Sequence, residues 1–281
     1  MKIALIILAI IIIITTLSVI LGSMIFNRRV KNEVAELFQA VRGKKPEVVT
    51  EEDLKGLPEP VQRYLKYAQI VGKEKVRTVR LKQKGFFRTK KEQKWMPITA
   101  EQYYTVDPPG FVWKASMQVV PLVSVKARDR YYQGQGGIII KLLGLIKLGE
   151  VKGREIDQGT LLRYLDEMVW FPTAFLSDCI TWQPIDSNSV KATISHQGLS
   201  VSAVMLFNEQ GEMVNFTAER YMDAGGEFKL EKWETPFREY QEINGVKIPT
   251  TGEGVWKLNS GDFAYVRPEI IEIEYNNPSM Y

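Results

Sequence analysis

Hydrophobic and polar positions change their period along this chain, and each change marks a different element. Residues Ile3 to Phe26 carry no charge and include the unbroken run Ile10 to Ile14. A helix rising about 1.5 Å per residue needs about 20 apolar residues to cross a bilayer. The apolar core of a cleaved signal peptide is shorter, roughly 7–15 residues, and ends in small residues. The run here is too long for that, and only Gly22 and Ser23 are small near its end. Residues 1–29 are therefore expected to form a retained, single-pass transmembrane helix. No cysteine follows the run, which excludes a lipoprotein-type lipid anchor.

From Val30 the apolar positions recur at helical spacing: Val30, Val34, Leu37, Phe38 and Val41. Gly43 and Pro46 stop that pattern. Thr50-Glu-Glu-Asp53 reads as a capping box opening a short helix that Gly56 closes. A longer helix is predicted from Pro58 to Val71, with Val61, Tyr64, Leu65 and Ala68 as its apolar stripe and Gly72 at its C′ position. Residues 30–72 are thus expected to be a helical segment packing on a sheet formed by the rest of the chain.

After Gly72 the period becomes two. Phe111, Trp113, Ala115, Met117 and Val119 alternate with polar residues. So do Val190, Ala192, Ile194 and His196, then Val214, Phe216 and Ala218, then Ile271, Ile273 and Tyr275. Such alternation marks antiparallel strands with one face on a core and the other in water. Asp107-Pro-Pro-Gly110, Gln197-Gly198, Glu209-Gln-Gly211, Asn244-Gly245 and Asn259-Ser-Gly-Asp262 supply the turns. About ten strands are expected over residues 73–281. One helix interrupts them at about 157–170, with Asp157 as N-cap, Leu161, Leu162, Leu165, Met168 and Val169 on its buried side, and Pro172 as its stop. The expected class is mainly β (α+β): a curved antiparallel sheet or half-barrel with inserted helices behind one transmembrane helix.

The stretch Ile138 to Leu148 is apolar apart from Lys141 and Lys147 and fits two readings. One is an ordinary covering helix. The other is an amphipathic lid, or a surface that dips into the bilayer with its lysines snorkelling to the headgroups and Gly134, Gly136 and Gly137 as hinges.

Composition narrows the chemistry. The chain has 281 residues, a net charge of +4, one cysteine and one histidine. The charge is too small, and too local to the anchor's flank, to point to nucleic acid. One cysteine and one histidine leave no intrachain disulfide, no multi-cysteine or multi-histidine metal site and at most one imidazole base. Cys179 reads as a small buried hydrophobe. No phosphate-binding glycine loop, nucleophile elbow or cofactor motif occurs, so no cofactor is expected and no catalytic residue is assigned.

Asp129 shares an apolar strand face with Val125, Ala127 and Tyr131, whereas Lys126, Arg128 and Arg130 point the other way. A carboxylate there must be paired, hydrogen-bonded or protonated. It is either half of a buried ion pair, with Arg163 as partner, or a polar group at the base of a ligand cavity, or a general acid or base. The segment Arg163-Tyr-Leu-Asp-Glu-Met-Val-Trp170 offers a solvated face or the mouth of a pocket shared with Tyr131, Trp113 and Trp182. The candidate ligand-binding set is Trp113, Asp129, Tyr131, Arg163, Tyr164, Glu167 and Trp170. His196 ends an apolar strand face, where a histidine is ordinarily structural.

Ala127-Arg-Asp-Arg-Tyr-Tyr-Gln-Gly-Gln-Gly136, the following Lys141-Leu-Leu-Gly144, and Gly159-Thr-Leu-Leu-Arg-Tyr-Leu-Asp-Glu-Met-Val-Trp-Phe-Pro-Thr173 resemble an uncharacterised bacterial family known as a domain of unknown function. Pro60-Val-Gln-Arg-Tyr64 and Gly252-Glu-Gly-Val-Trp256 are similar to further parts of it. The order of strands and helices is also similar to the half-barrel of Lol-type lipoprotein carriers, in which a curved sheet shelters a lipid. Together these lead to an expected membrane-tethered domain that binds a lipid or other hydrophobic ligand. The alternatives are a scaffold that holds a protein partner in a membrane-associated assembly, and an enzyme using Asp129, Glu167 or His196. Arg28, Arg29 and Lys31 after the anchor point to a cytoplasmic domain and the Lol resemblance to an external one, so the side stays open.

Overall fold

A computed structural model describes residues 2–121 and 123–281. Helix α1 runs unbroken from Lys2 to Gln39, so the apolar run and the first amphipathic helix are one rod. Its apolar portion is long enough to cross a membrane. Helix α2 covers Glu59–Tyr67 and α3 covers Arg154–Glu167. The strands are β1 (Thr78–Phe87), β2 (Met96–Thr105), β3 (Gly110–Val120), β4 (Val123–Tyr132), β5 (Gln135–Leu142), β6 (Ile146–Val151), β7 (Ile180–Pro184), β8 (Ser189–His196), β9 (Leu199–Phe207), β10 (Met213–Asp223), β11 (Phe228–Ile243), β12 (Val246–Gly252), β13 (Gly254–Leu258) and β14 (Gly261–Tyr275).

Among the described residues all of these strands join one antiparallel sheet in the order β6-β5-β4-β3-β2-β1-β14-β12-β11-β10-β9-β8-β7, with β13 pairing β11 and β14. The half-barrel class expected from the alternation is what forms. The described strands number fourteen, more than the ten expected, in part because the segment Ile138 to Leu148 is not a helix. It belongs to the hairpin β5–β6, in which Ile138 faces Val151 and Leu142 faces Ile146. With only Lys141 and Lys147 to mark a period in this apolar run, a buried helix and a sheet segment look alike.

Among the described residues three hairpins close through two-residue turns whose residues both have positive φ: Gln133-Gly134, Gln197-Gly198 and Asn244-Gly245. That geometry matches the right-handed twist of the flanking strands. The sheet curls until two of these turns touch. A Cβ on Gly134 would lie 2.7 Å from Cβ of Gln197, and the Tyr131 hydroxyl lies 2.8 Å from His196 Nδ1. This clasp joins β4–β5 to β8–β9 across α3, and it accounts for the lone histidine.

Both faces of the sheet carry helices. On the concave face α3 and α2 share a core with Tyr104, Phe111, Tyr131, Phe175, Phe207 and Phe216. Gly136 lets α3 lie directly on β5, since a Cβ there would sit 2.6 Å from the Ile156 carbonyl oxygen. Asp157 is not the N-cap; Gly153 precedes the helix and the Asp157 carboxylate accepts a 2.6 Å bond from the Gly136 N–H. Helix α2 ends earlier than its apolar stripe suggests, with Gln69, not Gly72, first in the left-handed region after it. On the convex face Phe26, Val30, Val34, Leu37 and Phe38 of α1 pack on Tyr103 and Val112. Glu33 of α1, itself buried, pairs with Arg128 at 3.1 Å. The sheet is therefore fastened along the second half of α1.

Candidate functional site

The concave face is built of cross-strand rows, because β1 to β5 pair in continuous register. Nearest the clasp lie Val79, Tyr104, Phe111, Tyr131 and Gly136. Next come Leu81, Gln102, Trp113, Asp129 and Ile138. The third row is Gln83, Ala100, Ala115, Ala127 and Ile140, and beyond it stand Ile98, Met117, Val125 and Leu142. The last row borders the hairpin ends at Val120 and Leu143.

The second row carries the charge. Arg163 of α3 donates through Nη1 to Asp129 at 2.6 Å and through Nε to Glu167 at 2.8 Å. Its guanidinium lies 5.1 Å from the Phe111 ring centre and 4.8 Å from that of Trp113. The other oxygen of Glu167 accepts from Gln102 at 2.8 Å and from Tyr104 at 3.0 Å. The Asp129–Arg163 pair is thus a nearly buried ion pair. Burial pushes the Asp129 carboxyl above its usual range, with Arg163 pulling the other way. Arg163 stays firmly cationic between its two carboxylates.

The seven sequence candidates separate. Tyr131, Tyr164, Glu167 and Trp170 are buried. Tyr164 donates to the Thr105 carbonyl at 2.9 Å, and the Trp170 carbonyl accepts from Tyr275 at 2.7 Å, so these two hold the core together. Trp113, Asp129 and Arg163 retain some exposure and meet at one place. Trp113 also donates to Gln83 at 3.0 Å. Asp129 and Glu167 share Arg163 while His196 is held by Tyr131, so the three candidate acids and bases fall into two separate groups.

Residues outside the sequence's candidate site set complete the arrangement. Ala100, Ala115 and Ala127 stand side by side across three strands and form a separate apolar cluster with Ile98 and Met117. Phe87, Trp113 and Val125 pack on that cluster, and it contains no residue from any helix. Alanine is a poor strand former, and its short side chain leaves the sheet surface low there. Behind α3, buried Asp166 accepts from Thr235 at 3.3 Å, while among the described residues no donor reaches its Oδ1. Arg220 donates to the Tyr265 hydroxyl at 3.1 Å and lies 4.6 Å from the Trp233 ring centre. The middle of the half-barrel is packed with aromatic side chains. Two cavities lie outside it, one of about 440 Å³ between the end of α1 and Asn276, and one of about 360 Å³ beside Phe263.

A profile described as a family of unknown function (DUF6544) matches residues 47–268. No curated protein matches the chain. Among solved structures, a domain from Vibrio parahaemolyticus described as an outer membrane lipoprotein-sorting protein is 8% identical, with a TM-score of 0.43 over 73% of this chain and 87% of its own. A LolA superfamily protein from Nitrosomonas europaea is 8% identical, with a TM-score of 0.37 over 77% of this chain and 94% of its own.

Proposed function

The chain belongs to the DUF6544 family, whose function is unknown, and we propose that it is a membrane-tethered domain binding a lipid or other hydrophobic ligand along its alanine row. Helix α1 is the tether. The ligand's apolar part lies on Ala100, Ala115 and Ala127, and its polar end reaches Trp113, Asp129 and Arg163. The observation that carries this reading is the in-register row of three alanines on the concave face, whose apolar cluster draws on strand residues alone among the described residues. Bulkier rows flank it on both sides, so the side-chain layer is thinnest along the alanines, which neighbouring side chains still bury.

The strip has a direction. Six residues of β4 separate Asp129 from Val123, about 20 Å at strand spacing. All the inward positions between them are apolar, and the far end meets the hairpin ends beside α1. A ligand arriving from a bilayer would pass Leu142, Val125 and Met117, reach the alanines and stop at the ion pair. Phe87, Trp113 and Val125 cover the row and would swing aside, which single side chains do without moving the backbone. A mostly apolar site with a few convergent polar groups is the usual make-up of a small-molecule pocket.

Filling the row tests the reading. Ala115→Phe places a bulky ring in the middle of the row. Binding of a polarity-sensitive apolar dye to the purified full chain should fall, while Val204→Phe, on the exposed side of β9, leaves it unchanged. Equal dye binding by the Ala115→Phe variant, with the fold intact by circular dichroism, would overturn the proposal.

A further inference from the structure

The β3–β4 and β5–β6 hairpin ends expose large apolar side chains beside α1. Val119, Val120, Leu145, Ile146 and Leu148 are between 42% and 56% exposed. The β5–β6 turn lies directly against the helix. Ser23 donates to the Leu143 carbonyl at 3.2 Å, and a Cβ on Gly22 would lie 2.9 Å from the Leu145 backbone. Gly22 and Ser23 belong to the uncharged run that ends at Phe26. A turn touching those residues is at the depth of apolar helix, not of the charged residues Arg28 and Arg29.

A second observation sets the same level. On the convex face Lys126, Lys141 and Lys147 face one another across β4, β5 and β6. Like charges directly opposite are unfavourable in a sheet. Among the described residues only Lys147 of these three has an acidic partner, Glu150 at 3.4 Å. The helix and sheet contacts align this row with the anchor. Ser23 meets Leu143 and Glu33 meets Arg128, whose strand partner is Ile139. The helix climbs about 15 Å between those contacts and the strand about 13 Å, so the two run side by side. Lys141 stands two residues from Leu143, about 7 Å up the strand, which is level with Asn27 and Arg28 on the helix. The lysine row therefore continues the basic end of the anchor.

Resting on the membrane-tethered reading, we infer that these two hairpin ends dock into the bilayer itself, with Val119, Val120, Leu145 and Ile146 in the boundary between headgroups and acyl chains and Lys126, Lys141 and Lys147 on the headgroup phosphates. Apolar residues sunk below a band of lysines is the pattern of interfacial membrane binders. Docking also covers β6, an edge strand whose exposed apolar side chains would otherwise invite association. It brings the open end of the alanine strip to the lipid.

The test uses the full chain in phosphatidylcholine vesicles with and without phosphatidylglycerol. In a Cys179→Ser background, spin labels are placed by Val120→Cys, Ile146→Cys and, as a control far along the chain, Ile185→Cys. Collision with oxygen, which concentrates in the bilayer, is compared with collision with an aqueous nickel chelate. The labels at 120 and 146 should favour oxygen and lose nickel contact, and the label at 185 should do the reverse. Replacing Lys126, Lys141 and Lys147 by glutamine should restore nickel contact in phosphatidylglycerol vesicles, the docked-to-free ratio falling about fivefold per lysine. If the chain resists alkaline extraction yet all three labels meet nickel equally, docking is overturned while the tether stands. If the chain is extracted, the tether itself fails. Labels at 120 and 146 shielded from both reagents would mean that another copy of the chain covers the hairpins, which also overturns the inference. No effect of the glutamine variant would overturn the role given to the lysines.

Discussion

Replacing Asp166 by asparagine should stabilise the protein at neutral and alkaline pH. Asp166 is 5% exposed, and its Oδ2 accepts a 3.3 Å bond from Thr235. Among the described residues no donor reaches Oδ1. Burial pushes its carboxyl well above the ordinary 3.8, the adjacent Glu167 charge adds to this, and Arg220, Thr235 and Arg163 offset only part. The folded chain therefore keeps this proton at pH values where the unfolded chain has released it. Over that window the folded state binds more protons, so stability falls as pH rises from about 4 through the folded value. Asparagine keeps the Thr235 bond and cannot ionise, so it removes the fall. Leaving one buried polar atom of a charged group unpaired costs about 1–3 kcal/mol. For a domain of this size each kcal/mol moves Tm by about 2–4 °C. The variant should then melt roughly 2–12 °C above the parent at pH 8 and level with it at pH 4. The assay is tryptophan-fluorescence melting of the full chain in detergent, reading the difference between the two proteins so that other titrating groups cancel. A difference that stays constant from pH 4 to pH 8, or a variant that becomes the less stable one as pH rises, would refute this assignment. Either result would mean that Asp166 is charged and well paired.

Arg163→Met should cost about 3–5 kcal/mol at pH 7, because Asp129 and Glu167 lose a shared buried partner, and adding Asp129→Leu should recover part of it; urea denaturation of the three proteins checks both steps. Gly136→Ala should destabilise by about 1–3 kcal/mol, since its methyl would meet the Ile156 carbonyl and push α3 off β5, and the same urea midpoints read it.

How much of this was legible in the sequence depends on the range of the interaction concerned. Gln197-Gly198 and Asn244-Gly245 were readable as turns because a two-residue hairpin is a local requirement for positive φ. The Thr50–Asp53 capping box was readable for the same reason, and the Asp53 carboxylate accepts from the Thr50 hydroxyl at 2.6 Å and from its N–H at 2.7 Å, which together with Lys75 lower its pKa to about 2. The Asp129–Arg163 pair followed from one charge on an apolar face. What the sequence concealed is what register decides. Ala100, Ala115 and Ala127 lie in three different strands, and nothing in any one strand says that they stand abreast. Gln102 and Tyr104 alternate correctly with the inward face of β2, but Tyr103 is buried too, under α1 on the other side, so burial on both faces blurs the period. Ile138 to Leu148 was ambiguous by composition, and Asp157 looked like a cap because a carboxylate near a helix start serves equally well to hold a neighbouring turn.

Whether a hydrophobic ligand occupies the alanine strip is tested most directly by native mass spectrometry of the full chain released gently from its own membranes. A discrete added mass is expected, which solvent extraction returns as a lipid or similar apolar molecule and which Ala115→Phe removes. A chain that appears only at its own mass, yields no apolar molecule on extraction and behaves identically as the Ala115→Phe variant would contradict ligand binding along the strip.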